Sequence, residues 1–251
     1  MDNSDVMTPI ASEAASEAQP VALSQFRKVP VFRDVDDDTL AGLAAISTLV
    51  TMPADTILCR QGIPAEQLLV LLEGQVALEN TTPSGASAVV DVVSPGGHFM
   101  LSAVLSGLPG LMSARTVTAA KLIGIEAEGL RILLHREASL AAALLRAEAM
   151  EFGAMVRQVC DLKLRTTAQR LGCYLLALTE ETAVNSVSLR LPFDKRLLAA
   201  RLGCRQENLS RAFAALRRLG VETHGARVIL HDIVSLRDYS LPDDSTDLES
   251  A

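Results

Sequence analysis

The chain has 251 residues, of which 49% are hydrophobic, and its formal net charge at pH 7 is −7. This length has room for two domains with ample core, and no apolar run approaches the roughly 20 residues of a transmembrane helix. The N-terminus also lacks the basic region followed by an apolar stretch that marks a secretory signal. We therefore expect a cytoplasmic protein without membrane partners.

The two ends of the chain have the composition of unfolded segments. Residues 1–22 are rich in Ser, Ala, Glu and Asp and predict a disordered leader, and residues 241–251 predict an acidic tail. The four cysteines, Cys59, Cys160, Cys173 and Cys204, form no C-x-x-C pair. Neither an iron–sulfur cluster nor another metal site is therefore expected.

Residues 23–138 contain a series of short β-rich segments separated by turns. Strands are predicted at Thr56–Cys59, Gln67–Leu72, Gln75–Glu79, Ala88–Val93 and Ala114–Val117. Many short strands with regular turns are typical of a small barrel or jelly roll.

Residues 139–164 predict one long helix. Its apolar residues recur at alternating spacings of three and four, which is a heptad seam. Such a seam either packs on the barrel or joins two copies in a parallel dimer, and we favour the dimer because it would present two DNA-reading helices to a palindrome. The seam residues are Ala142, Leu145, Ala149, Phe152, Val156 and Val159.

Residues 165–240 predict a winged helix-turn-helix. A compact apolar helix ends at a turn containing Gly203, and a second helix follows whose buried face is Leu209, Ala212, Phe213 and Leu216. An ordinary helical hairpin with a solvated polar face would show the same pattern. The outer face nevertheless suits DNA, because Arg pairs with guanine, Glu accepts from cytosine and Ser bonds either way. These outer residues are Gln206, Glu207, Ser210 and Arg211, and Arg205 precedes them.

Charge placement favours the DNA interpretation. Between Lys163 and Arg227 twelve basic residues stand against five acidic ones, a net charge of +7 that leaves −14 for the rest of the chain. Basic charge is therefore concentrated around the predicted helix-turn-helix, as contact with phosphates requires.

A short hairpin follows the second helix. His224 and Gly225 form a turn between two extended segments within residues 221–230. This hairpin is interpreted as a wing whose Arg227 contacts a phosphate, although a plain edge hairpin with a solvated arginine fits as well.

Several short motifs occur in a characteristic order along residues 26–237. They are Pro30-Val31-Phe32, Arg60-Gln61-Gly62, Leu72-Glu73-Gly74-Gln75-Val76, Gly97-His98-Phe99 and Glu207-Asn208-Leu209-Ser210-Arg211. In this order they resemble the CRP/FNR superfamily of transcription regulators. The resemblance implies an α+β protein: a cyclic-nucleotide-binding-type β-roll, a long dimerisation helix and a C-terminal winged helix-turn-helix.

The resemblance also implies partners. The Glu-x-x-Ser-Arg pattern at Glu207, Ser210 and Arg211 is similar to the FNR-like branch, which includes the DNR regulators, and implies an inverted repeat of TTGAT half-sites. The implied partners are a second copy of the chain in a homodimer, a palindromic operator, a small-molecule effector and RNA polymerase, which activators of the family contact.

The effector site departs from the cyclic-AMP pattern of the family. Alignment on Gly97-His98-Phe99 places Ser102 where those proteins have a ribose-binding Glu, and Met112-Ser113 where they have the phosphate-binding Arg-Ser pair. A buried phosphate without its arginine has no charge partner, so cyclic-AMP binding is not expected. A shifted loop could recruit Arg115 instead, which keeps a cyclic-nucleotide-responsive regulator as an alternative.

An apolar pocket for another effector remains. Its predicted lining is Phe99, Met100, Leu101, Ser102, Met112 and Ser113. By resemblance to DNR-like sensors it could hold haem with His98 or Met100 as axial ligand, although a solvated histidine and a core methionine are the simpler interpretations. The cysteine cluster of FNR is missing, since no cysteine precedes Cys59.

Three classes of function are thus compared. A sequence-specific regulator accounts for the helix-turn-helix, the basic segment and the seam. A ligand-binding module acting through protein contacts accounts for the barrel alone. An enzyme is not expected, because no nucleophile elbow, metal-ligand cluster or phosphate loop is found.

Overall fold

The structure is a computed structural model that describes residues 19–85, 87–179, 186–191 and 194–241. It divides into two compact units with the boundary after Gly153. Nearly all of the predicted leader and acidic tail lies outside the described residues.

The first unit is built from short strands and helices. In chain order they are β1 (Gln19–Pro20), α1 (Leu23–Phe26), α2 (Asp37–Ala45), β2 (Ser47–Met52), β3 (Ile57–Cys59), β4 (Gln67–Glu73), β5 (Val76–Thr81), β6 (Ser87–Val93), β7 (His98–Phe99), α3 (Leu101–Ser106), β8 (Ser113–Thr116), β9 (Ala120–Glu126) and α4 (Ala127–Leu134). A 3-10 turn, Pro30–Phe32, lies between α1 and α2.

These strands form two antiparallel sheets. One has the order β1-β2-β9-β4-β7 and the other the order β3-β8-β5-β6. Side chains from both sheets, among them Met52, Leu71, Leu78 and Leu122, share one buried cluster. The two sheets therefore enclose a core as a β-roll, and the predicted jelly-roll architecture is confirmed.

A second buried cluster joins the outer side of the first sheet to the helices. Phe26 and Phe32 pack edge to face with ring centroids 5.5 Å apart, against residues of α2 and α4. The helix α5 (Ala138–Leu164) begins here, and of its 27 residues only Leu140 and Leu144 are buried. Most of this helix consequently presents its side chains to solvent.

The second unit comprises the rest of α5 and the elements after it. These are α6 (Thr167–Ala177), β10 (Val187–Arg190), α7 (Lys195–Arg201), α8 (Gln206–Leu216), β11 (Val221–His224), β12 (Arg227–Leu230) and α9 (Ile233–Ser240). The three strands form one sheet in the order β10-β12-β11. Its inward side chains share a core with α6, α7, α8 and α9.

The structure differs from the sequence-based expectations at several boundaries. The ordered body begins before residue 23, because Gln19 and Pro20 pair with β2 and Val21 is buried in the core. The strands β2, β7, β9 and β10 were not predicted either. β9 lies between β2 and β4 and is buried on both faces, so its apolar run lacks the alternation that marks a half-buried strand.

Candidate nucleic-acid interface and sensory site

The helix pair α7 and α8 is held by a tight turn. Asp194 caps α7 by accepting a hydrogen bond from the backbone N–H of Leu197 at 2.8 Å. The turn passes through Gly203 at φ +60°, and a Cβ there would lie 2.5 Å from Leu162 Cδ2. The backbone conformation favours glycine at this position, and a larger residue would also require the Leu162 side chain to move.

The helix α8 has two chemically distinct faces. Leu209, Ala212, Phe213 and Leu216 are buried, as the spacing predicted. The residues predicted to read bases, Gln206, Glu207, Ser210 and Arg211, are all exposed, and so is Arg205 at the N-cap.

Further polar groups accompany that exposed face. Asn208, which the sequence reasoning did not single out, is exposed in the first turn of α8. Arg217 and Arg218 are exposed where the helix ends. The surface around α8 is therefore strongly basic, in agreement with the charge segregation in the sequence.

Cys204 lies at the turn that leads into α8. Its backbone N–H donates to the carbonyl of Ala199 at 2.9 Å, and its side chain is half-buried against the core of the unit. Burial raises the pKa of the Cys204 thiol, and the positive charge of Arg170 opposes this only in part. This shift favours the thiol form over the reactive thiolate.

The wing hairpin has the predicted form. β11 and β12 pair so that His224 lies opposite Arg227, and Gly225 takes φ +63° in the turn between them. Arg227 is exposed, and its Nε donates to Ser188 Oγ of β10 at 2.7 Å. A residue of β10, which was not predicted as a strand, thus holds in place the arginine that is expected to contact phosphate.

A carboxylate lies between two histidines on the same hairpin. Glu222 accepts from His224 Nε2 at 2.8 Å through one oxygen and from His231 Nε2 at 3.0 Å through the other. These hydrogen bonds lower the pKa of Glu222. The sequence reasoning did not single out this cluster, although the spacing of Glu222 and His224 along one strand puts both on one face.

The six residues of the predicted effector pocket are placed differently from one another. Phe99 and Met100 fill the core between the two sheets, and Leu101 fills the core beneath the helices. Ser102 is exposed on α3. Met112 is half-buried against the core, and Ser113 Oγ accepts from the backbone N–H of Gln61 at 2.9 Å.

Arg115, the alternative phosphate ligand, is engaged elsewhere. Its Nη1 donates to Asp55 at 2.9 Å, and its Nε lies 3.7 Å from Glu79. These acidic neighbours raise the pKa of Arg115, and the hydrogen bond that Arg115 donates to Asp55 is the largest cause. Binding a phosphate there would require this arginine to leave both carboxylates.

The two candidate haem ligands are also in closed surroundings. The His98 side chain is 10% exposed, and its Nε2 lies 3.0 Å from Glu151 Oε1 on α5 without forming a hydrogen bond. Met100 packs in the core of the β-roll with 8% of its surface exposed. These placements do not favour haem, which stays a prediction.

A second carboxylate lies beside His98. Oε1 of Glu148 on α5 is buried without a hydrogen-bond partner. Burial raises the pKa of Glu148, the negative charge of Glu151 adds to this, and His98 opposes it. One histidine and two carboxylates therefore meet where α5 passes β7.

Clefts occur on the first unit. One of about 450 Å³ lies beside α3 and the first turn of α4, and one of about 240 Å³ lies between α1 and the turn before β7. Neither is lined by any of the six predicted pocket residues. No group of three or more metal-ligating side chains suited to an ion occurs among the described residues.

The predicted seam runs along the exposed side of α5. All six of its residues are exposed, including Leu145 at 71% and Phe152 at 70% of their surfaces.

Within the part of the chain that the structure describes, no helix is long and apolar enough to span a membrane.

Comparisons with known proteins agree with this architecture. The family model of the cyclic nucleotide-binding domain matches residues 49–137, and that of the Crp-like helix-turn-helix domain matches residues 169–239. A CRP-like cAMP-activated global transcriptional regulator of Mycobacterium tuberculosis is 21% identical over 206 residues, which cover 80% of this chain and 92% of the relative.

Solved structures show the same fold. A protein of Ruegeria pomeroyi DSS-3, provisionally named a cyclic nucleotide binding protein, is 29% identical with a TM-score of 0.59, covering 88% of this chain and 97% of its own. FixK2 of Bradyrhizobium japonicum is 20% identical with a TM-score of 0.65, covering 77% of this chain and 96% of its own.

A cyclic-nucleotide-binding-type domain followed by a long helix and a Crp-like helix-turn-helix defines a class of DNA-binding transcription regulators. The chain belongs to the CRP/FNR family of this class. The predicted family and fold are confirmed. The family consists of regulators and not enzymes, which also confirms the functional class.

Proposed function

We propose that the chain acts as a homodimer that reads an inverted repeat of TTGAT half-sites. The observation that carries this proposal is the outer face of α8, where Glu207, Ser210 and Arg211 are all exposed opposite a fully packed inner face. Residues near the N-terminus of the second helix are those that reach base edges in a helix-turn-helix.

The three side chains supply complementary base contacts. The guanidinium of Arg211 can bond both O6 and N7 of a guanine, Glu207 can accept from a cytosine amino group, and Ser210 can bond in either direction. A TTGAT half-site offers one guanine on one strand and its cytosine on the other. The similarity of this pattern to the FNR-like branch supports the half-site.

The exposed seam of α5 supports dimerisation. Contiguous exposed apolar side chains mark interaction surfaces, and these recur at heptad spacing along one helix. A second copy of the helix would bury Leu145, Phe152 and their neighbours while presenting two recognition helices to the palindrome. As a regulator of this family the dimer would work in the cytoplasm and contact RNA polymerase.

The DNA proposal is tested by fluorescence anisotropy with the full chain. We expect tighter binding to a TTGATNNNNATCAA duplex than to a scrambled duplex of the same composition. Because the affinity for a specific site typically exceeds that for non-specific DNA by a factor of about 10³ or more, the difference is readily measured. Equal affinity for the two duplexes would contradict the half-site.

We also propose that cyclic AMP is not the effector. Ser102 and Met112 stand where cyclic-AMP binders carry acidic and basic ligands, and Arg115 is held by Asp55 and Glu79. Neither the ribose nor the cyclic phosphate would find its partner. The cAMP-activated regulator of M. tuberculosis therefore differs from this chain in its signal, although both belong to one family.

Isothermal titration of the chain with cyclic AMP tests this second proposal, and we expect no binding heat. A double variant, Ser102→Glu with Met112→Arg, serves as the positive control because it introduces the two missing ligands. Saturable heat from the unaltered chain would contradict the proposal and favour the alternative in which Arg115 is recruited.

A further inference from the structure

The outward face of the wing sheet carries a row of basic side chains. Arg190 of β10 lies opposite Arg227 of β12, which in turn lies opposite His224 of β11. All three are exposed. Like charges directly opposite one another destabilise a sheet, so the two arginines have a cost in the free protein that an anion between them would remove.

The next row towards the base of the wing holds the carboxylate. Glu222 lies opposite Ile229, which lies opposite Ser188. Among the described residues of this face, Glu222 is the acidic one beside the two arginines. Its two oxygens accept from His224 and His231.

The hydrogen bonds determine how the histidines can gain charge. A carboxylate only accepts hydrogen bonds, so Nε2 carries the hydrogen in both rings. A further proton then enters at Nδ1, which adds a positive charge without breaking the bond to Glu222. The hydrogen bonds from His224 and His231 to Glu222 are therefore compatible with both charge states of each ring.

Neighbouring charged groups leave this arrangement intact. Arg217 and Arg218 lie in the turn before β11 and add positive charge. Asp232, next to His231, is occupied as the cap of α9, accepting from the Ser235 N–H at 2.9 Å and from its hydroxyl at 2.6 Å.

We propose that Arg190, Arg227 and His224 form a binding site for a DNA backbone phosphate, strengthened by protonation of His224 and His231 around Glu222. The site rests on the proposed DNA-binding function and extends it. With both histidines neutral the two arginines and Glu222 give this face a charge of +1, and with both protonated the charge is +3. Phosphate binding should strengthen accordingly as the pH falls.

Histidine is the side chain that ordinarily changes charge between pH 5 and 8. The pKa of Glu222 is lowered by its hydrogen bonds from His231 and His224, so this carboxylate stays ionised throughout that window. The DNA affinity should therefore change between pH 8 and 6 without loss of the hydrogen bonds that Glu222 accepts from the two histidines.

Anisotropy titrations of the full chain at pH 8 and pH 6, at constant ionic strength, test the site. The TTGATNNNNATCAA duplex and its scrambled counterpart should both bind roughly 3- to 10-fold more tightly at pH 6, with a steeper dependence on salt, because phosphate contacts do not read sequence. The double variant His224→Gln with His231→Gln should lose this increase.

Two further variants separate the site from general effects of pH. His135 is exposed at the end of α4 in the other unit, so His135→Gln should retain the full increase. Glu222→Gln should bind both duplexes more tightly than the unaltered chain at pH 8, because one negative charge is removed from the face. Circular dichroism confirms that each variant is folded.

The outcomes distinguish the two proposals. Affinity that does not change between pH 8 and 6, or an increase that survives in the double histidine variant, would overturn the phosphate site and leave DNA reading by α8 intact. Failure to bind either duplex at either pH would overturn the DNA-binding proposal and the phosphate site together.

Discussion

Arg211 is the residue on which base discrimination should depend most. It is exposed on the outer face of α8, one helical turn beyond Glu207. We expect Arg211→Ala to weaken binding to the palindrome by about 1–3 kcal/mol and to relax discrimination at the guanine. Titrations with duplexes substituted at that base pair measure both effects.

Arg227→Ala is the matched control for that variant. Because Arg227 is placed on the wing and expected to contact phosphate, its loss should weaken binding to specific and scrambled duplexes alike. A uniform loss for Arg211→Ala as well would contradict its assignment as a base-reading residue.

Glu148 should reduce the stability of the first unit at neutral pH. Its pKa is raised above the ordinary value of 4.5, chiefly by burial and then by the charge of Glu151. The folded chain therefore binds this proton more tightly than the unfolded chain, and the free energy of unfolding falls as the pH rises through and above that value. The penalty is present at pH 7 and absent at low pH.

Replacing Glu148 by glutamine removes this penalty. We expect Glu148→Gln to raise the melting temperature by roughly 1–3 °C at pH 7 and to change it little at pH 4. Glu66→Gln, at an exposed glutamate in the same unit, is the control. An equal shift at both pH values would contradict the assignment to the carboxyl charge.

At the scale of elements, the turn between α7 and α8 permits a comparison of two glycines. Gly203 and Gly225 have φ of +60° and +63°, but a Cβ at Gly203 would lie 2.5 Å from Leu162, whereas one at Gly225 would have no atom within 4 Å. Both substitutions by alanine incur backbone strain, of about 1–2 kcal/mol. Only the first also disturbs packing.

We therefore expect Gly203→Ala to lower the free energy of unfolding more than Gly225→Ala, as measured by urea denaturation. The additional loss should shrink in the background of Leu162→Ala, which removes the contacting methyl groups. Equal losses at the two glycines would show that the close approach has no energetic weight.

The seam of α5 should determine the oligomeric state. Phe152 lies in the seam and Met150 outside it, with 70% and 53% of their surfaces exposed. A lysine buried in a seam without a partner is costly. We expect Phe152→Lys to convert the dimer to a monomer and Met150→Lys to leave it intact, as measured by analytical ultracentrifugation.

The elements differed in how well the sequence predicted them. The face of α8 was predicted residue by residue, because a half-buried helix alternates apolar and polar positions with a period of 3.6. β9 was missed because Leu122 to Ile125 is buried throughout and its Gly124 resembles a turn. β10 was missed because only its pairing with β12 identifies four residues as a strand.

The site shows the same division. Direction along one helix can be deduced from spacing, which is why the residues predicted to read bases are all found on the exposed face of α8. Contacts between distant segments cannot be deduced in that way, so the bonds of Arg115 to Asp55, of Arg227 to Ser188 and of Glu222 to His231 required the structure.

For the whole molecule, the uneven charge predicts how DNA binding responds to salt. The net charge is +7 between residues 163 and 227 and −14 elsewhere. Binding through that segment releases counterions, so the logarithm of the association constant should fall linearly with the logarithm of salt concentration. Arg217→Ala should reduce the slope by about 1 if it contacts phosphate. A salt-independent affinity would contradict an electrostatic contribution.

The exposed apolar side of α5 has a consequence for dosage. Consider a regulator that must dimerise before it can bind a palindrome. When most copies are monomeric, the concentration of dimer is proportional to the square of the protein concentration. Occupancy would then rise steeply over a narrow range of protein level, and a cell could silence the operator by a modest fall in synthesis. Leu145 and Phe152 would thus determine the expression level at which the operator becomes occupied, in addition to forming the dimer contact.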